Sequence, residues 1–198
     1  MKRKEKIILI GAGGHAVSCI DVIESSKKYE IYGLVDKLKN KYIKVGNKKY
    51  KIFSEDLVLK KIKKNVKNIL ICIGTNIKKR NKLFFKFKNK GFKFPVIKSP
   101  KAYVSKFTKI KEGTIIMHGA IINANTSIGS NCIINSKSLI EHDVVIGDNS
   151  HVSTAAVING HVKIEKNCFI GSNSTIIPSI KITKNSFIKA SSLIKKNV

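Results

Sequence analysis

From Val104 onward an aliphatic residue falls at every sixth position: Val104, Ile110, Ile116, Ile122, Ile128, Ile134, Ile140, Ile146, Val152, Ile158, Ile164, Ile170, Ile176, Ile182, Ile188 and Ile194. Four residues after each stands a small or β-branched residue, among them Thr108, Thr114, Ala120, Cys132, Ser138, Ser150, Cys168 and Ser174. A period of six matches neither a helix at about 3.6 nor an alternating strand at 2. It predicts a solenoid of short flat faces, one hexapeptide to a face, with Gly, Asn and Asp at the corners. The large aliphatic side chain points inward and the small one fits near a corner, so each coil buries its face against the next.

The first hundred residues follow another pattern, with apolar runs of strand length alternating with amphipathic stretches. The spacing predicts a buried strand at Lys6–Ile10, a helix at His15–Ser26 and a strand at Ile31–Val35. A short hairpin over residues 41–53 would turn at Gly46-Asn47. A Ser-capped helix at Ser54–Lys64, an apolar strand at Asn68–Ile73, a basic helix at Asn76–Lys90 and a last strand at Lys93–Ile97 would follow. Such alternation implies a small parallel sheet covered by helices. Ser99-Pro100 marks the junction, so the expected domains are 1–98 and 99–198.

With 198 residues and 42% hydrophobic content the chain has enough apolar surface for a folded core. No window approaches the roughly 18 apolar residues that span a bilayer, and Ile7–Ile10 is too short for a signal-peptide core, so a cytoplasmic protein without membrane insertion is expected. The net charge of +27 by itself points to polyanions. Its make-up argues against nucleic acid, because only Arg3 and Arg80 are arginines and the lysines are spread evenly, whereas base and phosphate readers favour arginine's planar fork. Cys19, Cys72, Cys132 and Cys168 form no CxxC pair, which suggests packing cysteines in a reduced compartment and no metal site.

The turn after the first strand reads Gly11-Ala-Gly-Gly-His-Ala16. Glycines there let a backbone approach a phosphate at a helix N-terminus. With Asp36 ending the second strand as a candidate ribose acceptor, the pattern is also a dinucleotide fingerprint. The domain is too short for two mononucleotide halves, which favours one nucleotide over NAD. A second glycine turn, Ile73-Gly-Thr-Asn76, would lie at the same sheet edge.

The hexapeptide array, with Ile140-Glu-His-Asp143 and Ser150-His-Val-Ser153 in it and the glycine turn ahead of it, resembles the hexapeptide-repeat sugar acetyltransferases of the sialic-acid O-acetyltransferase family, including those that acetylate a UDP-linked 4-amino-4,6-dideoxy sugar. The resemblance implies a small Rossmann-like α/β domain followed by a left-handed parallel β-helix of eighteen-residue coils, five of which fit between Val104 and Leu193. It also implies a homotrimer with acetyl-CoA in the groove between neighbouring helices, no metal, and direct attack of the acceptor on the thioester. Such chemistry needs a base, and a histidine of ordinary pKa, about 6.5, can act as one near neutrality. His142 stands outside the inward row, and the resemblance gives it that role. By the same resemblance Asp143 orients the ring, Glu141 matches the first carboxylate of the motif and Asn135 lies near the acceptor. His151 would meet the acetyl carbonyl, Gly160, Ser172 and Ala190 would line the CoA groove, and Gly13, Gly14, His15 and Asp36 would hold the nucleotide-sugar. His118 and His161 match no family role and are expected to be surface corner residues.

The sequence departs from the family at its C-terminus, Lys195–Val198, where relatives often continue into a Gly-x-Pro-Ala tail against the adenine end of CoA. The leading expectation is N-acetylation of a nucleotide-linked amino-sugar for surface glycans. Alternatives are O-acetylation of sialic acid or another sugar on the same fold, a non-catalytic β-helix that binds polyanions, and an NAD-dependent oxidoreductase.

Overall fold

The computed structural model describes residues 4–37 and 41–198, so Arg3 lies outside the described residues. The chain forms two compact units, Met1–Pro95 and Val96–Val198.

In the first unit β1 (Glu5–Ile10), β2 (Tyr29–Val35), β3 (Tyr42–Val45), β4 (Lys48–Phe53) and β5 (Asn68–Ile71) make one sheet in the order β3-β4-β2-β1-β5. The β1, β2, β4 and β5 strands run parallel. The expected hairpin is present as the antiparallel β3–β4 pair, which makes the sheet mixed at its edge. Strand β1 and its neighbour β5 at the sheet's end bury Ile7, Ile8, Leu9, Ile69 and Leu70, as continuous apolar runs do when both faces of a sheet are covered. The helices are α1 (Gly14–Ser26), α2 (Glu55–Lys60) and α3 (Ile77–Asn89). Ser54 caps α2 by accepting from the Leu57 N–H, and Asn76 caps α3 by accepting from the Lys79 N–H. The helix expected to reach Lys64 ends at Lys60 and continues as a separate 3-10 turn, Ile62–Lys64.

The strand expected at Lys93–Ile97 does not form. Lys93 makes a single bridge to Asn68, Pro95 has no N–H to give a ladder, and Ile97–Lys98 pairs instead with Ile115–Ile116 as the first rung of the solenoid. This pairing is why the second unit begins at Val96.

The second unit is a parallel β-helix in which two-residue strands stack at intervals of eighteen residues into three sheets. The inward row from Ile116 to Ile188 is buried, whereas Val104, Ile110 and Ile194 in the terminal coils are half-buried. The small-residue row fills the space between, with Thr114, Ala120, Cys132, Val144, Ala156 and Cys168 all buried.

Each corner turns through one residue of left-handed backbone, three positions after the inward aliphatic. These are Gly113, Gly119 and then every sixth residue from Asn125 to Ser191. Asn and Asp accept this conformation at low cost, and most of these corners use Gly, Asn or Asp. In one corner stack the side chains also pair: Asn131 Nδ2 donates to Asn149 Oδ1 at 2.9 Å, Asn149 to Asn167 at 2.9 Å and Asn167 to Asn185 at 3.1 Å. At Gly147, directly after the inward Ile146, the next coil approaches too closely for a side chain, since a Cβ there would lie 2.5 Å from the Lys166 nitrogen.

Candidate active site

In the first unit the loops after β1, β2 and β5 share the carboxyl edge of the sheet, on both sides of β1, where open α/β sheets bind ligands. Gly11 has φ 108°, and a Cβ on it would meet Ile73 at 2.9 Å and the Cys72 carbonyl oxygen at 3.1 Å, so the tight turn requires glycine. Gly13 and Gly14 face open space. Gly13 is the N-cap of α1 and offers no side-chain cap, which leaves the helix's first N–H groups facing that space. Asp36, at the end of β2, is tied to this loop. Its Oδ2 accepts from the Ala12 N–H at 2.7 Å and its Oδ1 from the Lys37 N–H at 2.7 Å, so the carboxylate holds the glycine loop.

His15, on the first turn of α1, packs beneath Gly74, where an added Cβ would touch it at 3.4 Å. The second glycine turn is thereby built against the first. It is held from below by Arg80, which is fully buried and whose Nη1 donates to the carbonyl oxygens of Ile73 at 3.3 Å and Gly74 at 2.8 Å. Behind the loop, Cys19 and Cys72 share a hydrogen bond. Burial raises the Cys19 pKa, but that bond and nearby His15 outweigh it and bring the thiol to about 6, while burial and Cys19 push Cys72 up. All four cysteines are buried.

In the β-helix, Glu141, His142 and Asp143 follow the strand Leu139–Ile140 and lead into one corner. Asp143 is the left-handed residue of that corner, with φ 59°. The His142 ring projects outward, its side chain 54% exposed, and its Nδ1 lies 2.8 Å from Asp143 Oδ2. The His142 hydrogen bond, with a second from Asn125, holds the Asp143 carboxyl below its ordinary range. The ring leans over Gly160, where a Cβ would lie 2.8 Å from His142 Cε1. Glycine at 160 therefore leaves the space that the imidazole occupies. Glu141 points elsewhere: its Oε2 accepts from Asn123 Nδ2 at 3.0 Å and its carbonyl oxygen from Thr126 Oγ1 at 2.9 Å.

A second group lies on the sheet that follows the next corners. His151 Nε2 and Asn135 Nδ2 are 3.3 Å apart, and the His151 ring meets Phe169 edge-on at 5.0 Å. His151 is buried, whereas His142 is exposed, and the two histidines belong to different sheets of the prism. Ser172 Oγ lies 3.0 Å from Ser153 Oγ, and Ala190 is exposed on a later coil. Within one chain, then, His142, Asp143 and Gly160 come together and Asn135 and His151 come together, while the Glu141 side chain turns to Asn123.

Two features of the corner were not singled out in the sequence as site residues. Asn125 and His161 stand one coil before and one coil after Asp143, at the same left-handed position. The His161 ring meets that of His142 edge-on at 5.2 Å, so His161 is a corner residue as expected but adjoins the candidate base. The signal was arithmetic, eighteen residues either side of Asp143. His118, also expected at the surface, is half-buried with its Nδ1 2.6 Å from Ser99 Oγ.

Residues 6–87 match the PglD N-terminal domain, and residues 107–142 and 161–196 match the bacterial transferase hexapeptide repeat. Solved structures of the same architecture include PerB from Caulobacter crescentus in complex with CoA and GDP-perosamine, 25% identical, with a TM-score of 0.89 over 98% of this chain and 90% of that one. The acetyltransferase domain of PglB from Neisseria gonorrhoeae is 23% identical, with a TM-score of 0.90 over 98% of this chain and 93% of that one. WeeI from Acinetobacter baumannii is 21% identical, with a TM-score of 0.86 over 98% and 93%. No curated protein matches the sequence.

Proposed function

We propose that this chain is a hexapeptide-repeat sugar acetyltransferase that moves the acetyl group of acetyl-CoA to the amine of a sugar carried on a nucleoside diphosphate, with His142 as the base. The observation that carries the base assignment is the His142–Asp143 pair at an exposed corner beside Gly160. With Nδ1–H donating to Asp143, the Nε2 lone pair is free to take a proton. The amine nitrogen attacks the thioester carbonyl, the C–N bond forms, and the C–S bond breaks as thiolate leaves. His142 accepts the amine proton, and Asp143 supports the imidazolium until the proton passes on. No covalent enzyme intermediate is required, and Cys132 and Cys168 lie inside the prism, away from any acceptor.

The nucleotide would sit on Gly13, Gly14 and His15, its diphosphate on the α1 N-terminus, with Asp36 holding the loop in shape. We take the acceptor to be a UDP-linked 4-amino-4,6-dideoxy sugar, made for surface glycans in the cytoplasm; PerB was solved with a GDP-linked sugar, so the base is the variable to test. Free sialic acid, the alternative acceptor, offers no diphosphate to this loop.

A homotrimer would complete the site, bringing the His151 and Asn135 face of one chain towards the His142 corner of the next, with Gly160, Ser172 and Ala190 along the CoA groove. It would also cover the exposed apolar side chains Tyr103, Ile121 and Leu193, which line up along one sheet. Light scattering reads the assembly directly. The activity test follows free thiol from acetyl-CoA with UDP-linked and GDP-linked 4-amino sugars and with sialic acid. Thiol release with the nucleotide-linked amines is expected; release with sialic acid alone would overturn the reading.

A further inference from the structure

We propose that the corner of the β-helix formed by His142, Asp143 and His161 binds a divalent transition-metal ion of the zinc type, and that the ion switches off acetyl transfer by occupying the base. The second half rests on the proposed role of His142; the first does not.

The solenoid itself assembles these ligands. Asp143 and His161 are successive residues of one corner stack, with φ 59° and 63°, so their side chains leave the backbone in register one coil apart. The His161 N–H donates to the His142 carbonyl oxygen at 3.2 Å, which ties the two histidine-bearing turns together. One ligand atom from each of His142, Asp143 and His161 lies within 4.8 Å of the others. A tetrahedral zinc ion with bonds of about 2.0–2.1 Å needs its ligands about 3.3 Å apart, a closure within reach of side-chain rotation. The shortest edge exists already, since His142 Nδ1 and Asp143 Oδ2 share one proton at 2.8 Å, and an ion would take that proton's place.

Two imidazoles and one carboxylate suit zinc or copper, leaving a fourth position for water. The corner is accessible, with the His142 and Asp143 side chains 54% and 36% exposed and His161 exposed. Competing thiolate ligands are withdrawn, since all four cysteines are buried. With the ion on Nδ1 the neutral ring carries its proton on Nε2, the nitrogen that would otherwise take the amine proton, and Asp143 turned towards the metal no longer supports the imidazolium.

The test uses the untagged full chain. Zn2+ is titrated by calorimetry and Co2+ by its visible absorption, and thiol release is followed over the same Zn2+ range with reversal by chelator. One ion per chain is expected, with inhibition at the same midpoint. His161→Asn and His161→Ser place residue types already found at these corners, as at Asn173 and Ser179, so the fold is retained. Both variants should keep metal-free turnover and bind zinc about tenfold or more weakly. Undiminished zinc binding in both variants, or none in the native chain, would overturn the site. Binding lost in the variants without inhibition of the native enzyme would keep the metal site and remove His142 from the role of base.

Discussion

Asp143 accepts the Nδ1 proton of His142 across 2.8 Å from a backbone in the left-handed conformation, φ 59°. The corner that turns the coil is therefore also the residue that orients the candidate base. Aspartate serves both ends, because it tolerates this conformation better than glutamate and its short side chain reaches the neighbouring ring. Replacing His142 with Ala should lower turnover about 10²- to 10⁴-fold with the melting temperature unchanged, as read by thiol release and calorimetry. Asp143→Asn keeps the corner and removes the carboxylate, so a smaller loss of turnover is expected without loss of fold.

Gly160→Ala separates packing from catalysis. The added Cβ would lie 2.8 Å from His142 Cε1 and 2.9 Å from Nε2. Because the ring is exposed it can swing aside, so stability should hardly change while kcat falls; an unchanged kcat would show that the ring's place over Gly160 does not matter.

In the first unit, Asp36→Ala leaves the Ala12 N–H without its acceptor and loosens the glycine loop. An unmade bond of this kind costs about 1–3 kcal/mol. The nucleotide-sugar KM should rise by about tenfold with kcat and the acetyl-CoA KM unaffected, and competition with UDP or GDP gives a direct measure of the loop's affinity.

The asparagine stack predicts a stability effect remote from chemistry. Asn149 is 2% exposed, pairs on both sides and has φ 58°. Asn149→Ala should cost about 2–4 kcal/mol, from the lost pairing and the left-handed backbone together. Asn149→Gly removes the same pairing without the backbone cost, so it should be the more stable of the two in urea unfolding.

Alkaline pH tests the contact between α1 and β4. Tyr50 Oη donates to Glu24 Oε1 at 3.1 Å, and Lys48 pairs with the same carboxylate. Burial, with the Glu24 bond and charge, pushes the Tyr50 phenol up to about 12. Its folded pKa is above the ordinary value of about 10, so the stabilisation is complete below pH 10 and is lost as pH rises through 12. Ultraviolet titration should include a step near pH 12, and Tyr50→Phe should remove both that step and its share of the alkaline loss of stability.

What the sequence determined by itself was whatever depends on a repeating local register. A six-residue period places every inward Ile, every small filler and the outward position of His142, because each coil repeats one backbone path. The hairpin, the glycine loop and the Ser54 cap were legible for the same local reason. Lys93–Ile97 was misread because its apolar pattern suits a strand in either unit, and only the pairing of Ile97 with Ile115 decides between them. That Asp36 also accepts the Ala12 N–H, and so holds the glycine loop, shows only once the loop is folded. Arg80, one of only two arginines in a lysine-rich chain, gave no hint that it would be buried under Gly74. The approach of His161 to His142 is of the same kind. It arises from stacking between coils, and sequence neighbours do not show it until the eighteen-residue rise sets one corner upon the next.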